Sequence, residues 1–316
     1  MQREHVAAGR AIQQRTGKTF HLATRLLPER VRHPTYVLYG FFRIADEVVD
    51  DAADAPPAAQ RARLEALRAQ ALGERPAEEP VLEAFQTVRE RYDVPDEEVN
   101  VFVDAMLADI HTDRYETEAQ LEAYMHGSAA AVGAMMTAIM EPKDVEAALP
   151  HARALGEAFQ LTNFIRDVRE DVLERGRIYL PAETLAAHGV DPTAIERLEF
   201  SDAVGDAIAA ELRRTEARYR EGVAGIRYLP RDCQLPVLLA AVLYAEHHRL
   251  IRAQGYDVLS ARPSLSTTRK LWCLARTRWH WQWNRDPEAV FRRVSAVPSP
   301  EEIDPSPGPG EGVATR

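Results

Sequence analysis

QLTNFIRDVRED, residues 160–171, places polar residues at helical spacing among apolar neighbours. On an α-helix its polar side chains follow one another at spacings of three, four and four residues and share one face: Gln160, Asn163, Asp167 and Asp171. Two carboxylates one turn apart repel each other, and burying them without a partner costs much more. A cation removes this conflict, and an all-oxygen set of ligands suits Mg²⁺ with a substrate phosphate. Taken alone, the segment fits a solvated helix face equally well.

A second stretch, FFRIADEVVDD at residues 41–51, repeats this pattern. Asp46 and Asp50 form another pair one helical turn apart, with apolar residues between them. Arg43 lies one turn before Asp46, and Tyr39 lies one turn before Arg43. Two such helices facing each other would form a cavity with acid clusters on opposite walls. The pair of stretches therefore predicts a site that holds a diphosphate through bridging Mg²⁺ ions.

Composition narrows the class of protein. The chain has 316 residues, 46% of them hydrophobic, and a net charge of −10. This charge argues against nucleic acid as the main partner, because phosphate binding needs a basic face. The two cysteines, Cys233 and Cys273, are too few for a disulfide scaffold and fit buried thiols in a reducing compartment. No apolar run reaches the ~18–20 residues of a membrane span, so we expect a cytoplasmic protein with at most peripheral membrane contact.

Helical periodicity dominates the chain, and no strand pattern of useful length occurs. We predict one all-α domain over residues 1–296 and a disordered, Pro/Gly-rich tail over 297–316. A run of small residues from Gly127 to Gly133 fits either tight helix packing or space for a bulky ligand. The predicted helices are 3–14, 19–26, 34–50, one exposed helix within 52–80, 80–92, 96–109, 117–124, 148–174, 182–188, 201–225, 234–254 and 264–279.

With these residues in view, the chain resembles the squalene/phytoene synthase family over roughly residues 15 to 290. The resemblance depends on an ordered set of motifs rather than on one aspartate pair. These are Tyr39 to Asp50, Tyr124 to Ala129, Gln160 to Asp171 followed by Arg177 to Pro181, and a C-terminal block of Tyr244, Gly255 to Val258, Arg262 and Lys270.

The resemblance implies an isoprenoid (terpenoid) synthase helical bundle around a central cavity. It implies a Mg²⁺-dependent prenyltransferase, with Mn²⁺ as a substitute ion, that condenses two geranylgeranyl diphosphates head to head. The product would be phytoene, formed in carotenoid biosynthesis through a cyclopropyl (prephytoene) diphosphate, and NADPH would not be needed. Two prenyl diphosphates would be the partners, and the oligomeric state stays open.

The resemblance also assigns roles to residues. The metal ligands would be Asp46, Asp50, Asn163, Asp167 and Asp171. The substrate-binding residues would be Thr19, His21, Arg43, Gln160, Asn163, Arg166, Arg177, Tyr244 and Arg262, since a planar guanidinium suits phosphate oxygens. The catalytic group would be Tyr39, Arg43, Asp46, Asp50, Tyr124, Asp167, Asp171 and Tyr179. A dry cavity for the allylic cation would be lined by Phe20, Phe41, Met135, Met136, Phe159 and Leu161.

Two departures from the family pattern stand out. Glu47 replaces a second aspartate of the first motif, where it could still accept a hydrogen bond from water on Mg²⁺. His247 and His248 occupy positions where an arginine, which could contact diphosphate, is more usual.

Three alternatives remain. The first is squalene or dehydrosqualene synthase, which would use farnesyl diphosphate in the same fold. The second is a carboxylate-bridged di-iron bundle, which requires Glu-x-x-His pairs; none of the ten histidines has a glutamate three residues before it. The third is a non-catalytic helical protein whose aspartates lie on a solvated surface.

Overall fold

The computed structural model describes residues 23–50 and 55–299, and within these ranges the regular structure is helical throughout. The predicted helix 3–14, the first half of the predicted helix 19–26, and the predicted site residues Thr19, Phe20 and His21 lie outside the described residues. The helices are α1 (Glu29–Asp50), α2 (Pro57–Ala71), α3 (Pro80–Arg91), α4 (Asp96–Asp109), α5 (Glu118–Met125), α6 (Ala131–Met140), α7 (Val145–Arg166), α8 (Val168–Glu170), α9 (Ala182–Ala187), α10 (Pro192–Glu196), α11 (Asp202–Ala224), α12 (Arg231–Ala253), α13 (Thr267–Trp283) and α14 (Pro287–Val294).

Side-chain caps explain where several helices begin. Asp144 accepts a hydrogen bond from the backbone N–H of Ala147 at 3.0 Å and so starts α7. Ser201 and Ser266 cap α11 and α13 in the same way, each at 3.3 Å. Each cap satisfies a backbone donor that the first helical turn leaves free. The predicted start at residue 148 was three residues too late, and Pro150 lies inside the helix.

The prediction of one unbroken helix over 148–174 was wrong at its C-terminal end. Asp167 leaves the helical region of φ and ψ, at −104° and 10°, and ends α7. The single turn α8 follows, and then a π-helical turn from Asp171 to Arg175. The backbone N–H of Asp171 still donates to the carbonyl of Asp167 at 2.8 Å, so the two acids keep their one-turn spacing. Irregular helical turns of this kind recur at functional sites.

α7 lies at the centre of the bundle. It packs on one side against α6 and the π-helical turn before it, His126–Ala130, and on another side against α11 and α12. α1 packs against α3, α4 and α6 to form the opposite part of the bundle. In that part the Phe41 ring stacks on Phe85 with centroids 4.1 Å apart. α1 and α7, which carry the two acidic stretches, therefore lie in one packed unit with a space between them.

The small-residue run serves tight helix packing. A Cβ atom added at Gly127 would overlap the carbonyl oxygen of Val101 on α4, and one at Gly133 would overlap that of Ala152 on α7. Across the same contact, a Cβ at Gly156 of α7 would lie 2.5 Å from the carbonyl oxygen of Ala129. The backbones of these helices approach each other closely because no side chain separates them.

The C-terminal end of the described chain packs against the bundle. Val297 is buried among residues of α11, α12 and α14, and Arg220 donates to the carbonyl of Pro298 at 3.2 Å. The remainder of the predicted tail, residues 300–316, lies outside the described residues. None of the helices within 23–50 and 55–299 combines the length and the apolar character that crossing a bilayer requires.

Candidate active site

A cavity extends through the bundle as three adjoining spaces. Its polar mouth, about 270 Å³, is lined by residues of both acidic stretches. A middle chamber of about 340 Å³ follows, and it shares Arg43, Asp46 and Asn163 with the mouth. A narrow apolar end of about 120 Å³ shares Val132, Met136 and other residues with the middle chamber. A charged entrance followed by an increasingly apolar interior fits an amphiphile with an anionic head and a hydrocarbon tail.

Aspartates from opposite walls line the mouth. Asp46 and Asp50 come from the last two turns of α1, and Asp167 and Asp171 come from the end of α7 and the turn after it. The side chains of Asp50, Asp167 and Asp171 are only 21%, 14% and 12% exposed. This enclosure contradicts the alternative in which the aspartates form a solvated surface.

Arginines lie between these carboxylates. Arg175 contacts Asp50 at 3.3 Å and Asp171 at 3.0 Å, and so connects the two acidic walls directly. Arg177 contacts Asp50 at 3.2 Å and donates to the backbone carbonyl of Asp109 at 2.9 Å. The mouth therefore has fixed positive charge as well as acids, as a site for a metal-bound diphosphate requires.

A second pair of arginines closes the other side of the mouth. Arg166 donates to Asp167 through two nitrogens, one of them at 2.7 Å. Arg262, from the loop after α12, contacts Asp167 at 2.8 Å and also pairs with Glu170. Arg169 donates to the carbonyl of Leu259 at 2.7 Å, which ties that loop to the end of α7.

Burial raises the pKa of three acids of the mouth, Asp46, Asp109 and Asp171. Desolvation raises the pKa of Asp46 to about 7, and the nearby carboxylate of Asp50 adds to the effect. Desolvation also raises the pKa of Asp171 to about 7 against the opposing influence of Arg175, and that of Asp109 to about 6 against Arg177. Enclosed carboxylates with raised pKa values mark a place where further positive charge would be bound favourably.

Aromatic rings form the floor below the acids. Tyr124 donates to Asp109 Oδ2 at 2.7 Å. The Tyr179 ring stacks on Phe164 with centroids 3.9 Å apart, and Tyr124 and Tyr115 lie about 6 Å from it. Burial raises the pKa of both Tyr124 and Tyr179, so their hydroxyls stay protonated as hydrogen-bond donors at neutral pH.

The donor set of the mouth fits Mg²⁺. Asn163 Oδ1 and Asp109 Oδ1 are buried oxygens without a hydrogen-bond partner, and both residues line the mouth. Within the described part of the chain, no three acidic, histidine or cysteine side chains are close enough to form a protein-only metal cage. Mg²⁺ does not need such a cage, because it keeps several waters and binds through one or two carboxylates plus substrate phosphates. Carboxylate and amide oxygens facing a phosphate-sized space meet this requirement.

The structure brings most of the predicted site residues together. Those that line the polar mouth are Arg43, Asp46, Asp50, Tyr124, Gln160, Asn163, Arg166, Asp167, Asp171, Arg177, Tyr179 and Arg262. Tyr39 and Tyr244 line the middle chamber instead, as do Met136 and Phe159. The roles assigned to these residues stay predictions.

Three predicted cavity residues do not line the cavity. Phe41, Met135 and Leu161 are almost completely buried and belong to the hydrophobic core of the bundle. Phe41 packs between the rings of Phe85 and Phe102, with centroid distances of 4.1 and 5.4 Å. The expectation failed because apolar character alone does not tell which side of a fully buried helix faces a cavity.

The two departures from the family pattern lie in different surroundings: Glu47 is half-exposed, whereas His247 and His248 are buried. Glu47 is half-exposed, accepts from Arg43 at 3.2 Å and is absent from the lining of the mouth. His248 is fully buried, contacts Thr162 at 3.0 Å and Glu216 at 3.2 Å, and has a pKa lowered by desolvation. Burial also lowers the pKa of His247 to about 4. The histidine pair is thus an uncharged part of the interior and supplies no charge to the mouth.

Asp109 and Arg175 are lining residues that the sequence prediction missed. Neither residue is among the candidate site residues of the sequence analysis. A signal for Asp109 was available. Phe102, Met106 and Asp109 follow one another at spacings of four and three residues, so Asp109 lies on the same apolar face of α4. Such a placement buries an acid, and a buried acid requires a partner. Arg175 gave no signal, because its contact with Asp50 joins residues 125 positions apart.

Comparison with known proteins gives a consistent result. The squalene/phytoene synthase family model matches residues 13–269. The chain is 34% identical to the phytoene synthase of Rhodobacter capsulatus, over 83% of this chain and 78% of that protein. It is 36% identical to the phytoene synthase of Thermus thermophilus, over 78% of this chain and 83% of that protein. A crystal structure of a dehydrosqualene synthase in complex with a ligand superposes with a TM-score of 0.80 at 26% identity, covering 89% of this chain and 98% of that one.

Proposed function

This chain belongs to the squalene/phytoene synthase family, and from that premise we propose that it condenses two geranylgeranyl diphosphates head to head to phytoene. The reaction proceeds through a cyclopropyl (prephytoene) diphosphate and needs no NADPH. The observation that carries the proposal is the cavity whose acidic walls, α1 and the end of α7, meet at a mouth joined to an apolar interior. Relatives with the name phytoene synthase from several bacteria support the choice of product.

The acids and amides of the mouth bind the diphosphates with divalent metal. Asp46, Asp50, Asn163, Asp167 and Asp171 are the residues that would hold Mg²⁺, or Mn²⁺ in its place. When bound, the metal neutralises charge on the departing diphosphate and so favours ionisation of the C–O bond. Arg43, Arg166, Arg175, Arg177 and Arg262 bind phosphate oxygens directly and release some of their present carboxylate contacts as they do so.

The interior protects the allylic cation. Phe159 and Met136 line both the middle chamber and the apolar end, where they exclude water from the reacting carbons. Tyr39, Tyr124 and Tyr244 present ring faces or hydroxyls at the boundary between the polar and apolar parts. A ring face attracts a cation by roughly 0.5–2 kcal/mol. Asp109 acts as a positioning residue, since it fixes the hydroxyl of Tyr124.

The same proposal covers the setting of the enzyme. We place the protein in the cytoplasm. Because its substrate and product are lipids, we also propose peripheral contact with a membrane. Its partners are the two prenyl diphosphates rather than nucleic acid. The proposal leaves the number of subunits open.

Product analysis tests the proposal. The protein is incubated with Mg²⁺ and either geranylgeranyl or farnesyl diphosphate, each with and without NADPH, and the products are identified by mass spectrometry. We expect phytoene from the first substrate, independent of NADPH. If squalene or dehydrosqualene is the dominant product, the protein is instead a squalene or dehydrosqualene synthase that uses farnesyl diphosphate. Asp167→Asn should abolish turnover with retained helicity, and Glu97→Gln, an exposed acid of α4, is its matched control.

Chain length is tested at the junction between the middle chamber and the apolar end. Val132 lines both spaces, so Val132→Phe narrows the passage for the distal part of a C20 chain. We expect the ratio of turnover with geranylgeranyl to turnover with farnesyl diphosphate to fall about tenfold or more. Met135→Leu changes a core residue of the same helix that does not line the cavity, and should leave this ratio unchanged. An unchanged ratio in Val132→Phe would show that the distal part of the prenyl chain does not pass Val132.

A further inference from the structure

The surface of α13 differs from the rest of the molecule. All four tryptophans of the chain lie on this helix. Trp281 faces inward, whereas Trp272, Trp279 and Trp283 are 42%, 60% and 76% exposed. Leu271 is also exposed, at 55%. A helix packed on a core normally turns polar residues outward, so an outer face with three exposed indoles requires a reason.

These exposed residues form one stripe. Leu271, Trp272, Ala275, Trp279 and Trp283 recur at helical spacing and are exposed, whereas Cys273, Thr277 and Trp281 of the opposite face are buried. The inner face is thus satisfied by packing against α12 and α14. The outer face has its own apolar character, and we call it the tryptophan face.

Positive charge flanks the tryptophan face. No aspartate or glutamate occurs between Val258 and Arg285. The same segment has one lysine, Lys270, and five arginines: Arg262, Arg269, Arg276, Arg278 and Arg285. Arg269 and Arg276 stack on the ring of Trp272 at 3.9 and 4.9 Å, and Arg278 is exposed beside Trp279. Glu246 offsets part of this charge by pairing with Arg269 at 2.7 Å. In a chain of net charge −10, such a basic segment is a local exception.

We propose that the tryptophan face of α13 docks the protein on an anionic membrane surface, with its indoles in the headgroup region and its arginines on lipid phosphates. Tryptophan prefers that region because its ring has an apolar body and a polar N–H. Basic residues beside an apolar helix face add attraction to anionic lipids. The charge of the face selects a lipid surface over an uncharged protein partner.

The position of the face relative to the cavity supports this partner. A groove of about 490 Å³ beside α13 is lined by Leu235, Leu274, Arg278 and Trp281, among others. Pro236 of α12 contributes to this groove and also to the apolar end of the cavity. Through this groove α13 lies near the apolar end of the cavity, so docking by this helix would bring that end towards the lipid. This last link rests on the proposed function, whereas docking itself does not.

Vesicle binding tests the proposal directly. The full-length protein is mixed with vesicles of phosphatidylcholine alone or of phosphatidylcholine with phosphatidylglycerol, and bound protein is measured by sedimentation. Because every tryptophan lies on α13, tryptophan fluorescence, excited where tyrosine does not absorb, reports this helix alone. We expect binding to the anionic vesicles, a blue shift of the emission and quenching by brominated lipid. Protein that stays in solution with both vesicle types, or emission that is unchanged on binding, would overturn the proposal.

Variants identify the face. Trp279→Gln combined with Trp283→Gln should weaken vesicle binding about tenfold or more, and Arg278→Glu should remove the preference for anionic lipid. Phe200→Gln combined with Tyr228→Gln changes two exposed aromatics on other elements and should bind as the wild type does. If the α13 variants bind vesicles as the wild type does, the assignment is refuted. It is also refuted if the wild type binds no vesicles but forms a dimer that these variants dissociate. Turnover of detergent-dispersed substrate, measured separately, should persist in the variants, so that failure of the proposed reaction and failure of docking are distinguishable.

Discussion

Asp109 shows how much a single buried acid can organise. It accepts from the Tyr124 hydroxyl, its backbone carbonyl accepts from Arg177, and its second carboxylate oxygen is buried without a partner. Through these contacts α4, α5 and the loop after α8 are held at one point below the mouth. A residue with such contacts affects the geometry of the site even without touching substrate.

Asp109→Asn should therefore reduce turnover with little loss of fold. The amide keeps the size of the side chain but loses the charged acceptor, and hydrogen bonds to charged groups contribute about 1.5–3 kcal/mol. We expect kcat to fall on the order of tenfold to a hundredfold, with helicity retained in circular dichroism. Glu97→Gln on the same helix is the control and should have wild-type kinetics. Wild-type kcat in Asp109→Asn would show that Tyr124 needs no charged partner.

The raised pKa of Asp46 gives a pH dependence of stability. A carboxylate whose pKa is about 7 in the folded state binds its proton more tightly there than in the unfolded chain. Its stabilising contribution is complete below the unfolded pKa near 4 and is lost as pH rises towards 7. Asp46→Asn removes this loss, on the order of 1 kcal/mol for each pKa unit of the shift.

The measurement is the free energy of unfolding in denaturant without Mg²⁺, at pH 5 and pH 8. The free energy of unfolding of Asp46→Asn minus that of the wild type should be larger at pH 8 than at pH 5. A difference between the two proteins that does not change with pH would mean that Asp46 ionises normally in the fold.

At the scale of elements, the contact of the small-residue π turn and α6 with α4 and α7 determines the width of the cavity. Glycines permit the close approach of the backbones at this contact, while neighbouring Val132 and Met136 face the hollow. The sequence offered packing and ligand space as alternatives for this run. Both are present, because successive residues of a helix point in different directions.

Gly127→Ala should destabilise the protein. The new methyl group would overlap the backbone of Val101, and overpacking of this kind typically costs about 1–3 kcal/mol. Gly205→Ala in α11 is the matched control, since its methyl would lie 3.3 Å from the movable ring of Phe200 and 3.6 Å, an ordinary contact distance, from the carbonyl oxygen of Gly255. Alanine is favoured over glycine in a helix by roughly 0.8–1.0 kcal/mol, so the control should be neutral or stabilising. Chemical denaturation measures the free energy of unfolding of both variants and of the wild type. Equal values for Gly127→Ala and wild type would contradict the close contact.

At the scale of the whole molecule, the mouth joins elements far apart in the chain. Arg175 and Arg177 connect Asp50 of α1 to the segment that follows α7. A ligand that binds both walls therefore stabilises the assembled bundle and has no comparable site in the unfolded chain. Stability and occupancy of the mouth are thus coupled.

Mg²⁺ together with inorganic diphosphate should raise the thermal unfolding temperature. At 100 times the dissociation constant, a ligand of the folded state adds about 2.7 kcal/mol. Asp50→Asn should lose most of this gain, and removal of the metal with EDTA should abolish it in the wild type. Arg227→Gln breaks a surface pair with Glu288 far from the mouth and should keep the full shift. An equal shift in Asp50→Asn would exclude that residue from the ligand site.

The sequence by itself determined the helical class, the two acidic stretches and most of the lining of the mouth. It could do so because helical periodicity is local, and the one-turn spacing of two acids specifies their shared face. Only the tertiary structure decided that Phe41 and Leu161 belong to the core, that Asp109 and Arg175 enter the site, and that tryptophans cover the outside of α13. These facts depend on which face of each helix meets a neighbour, and that choice arises from contacts between residues far apart in the chain.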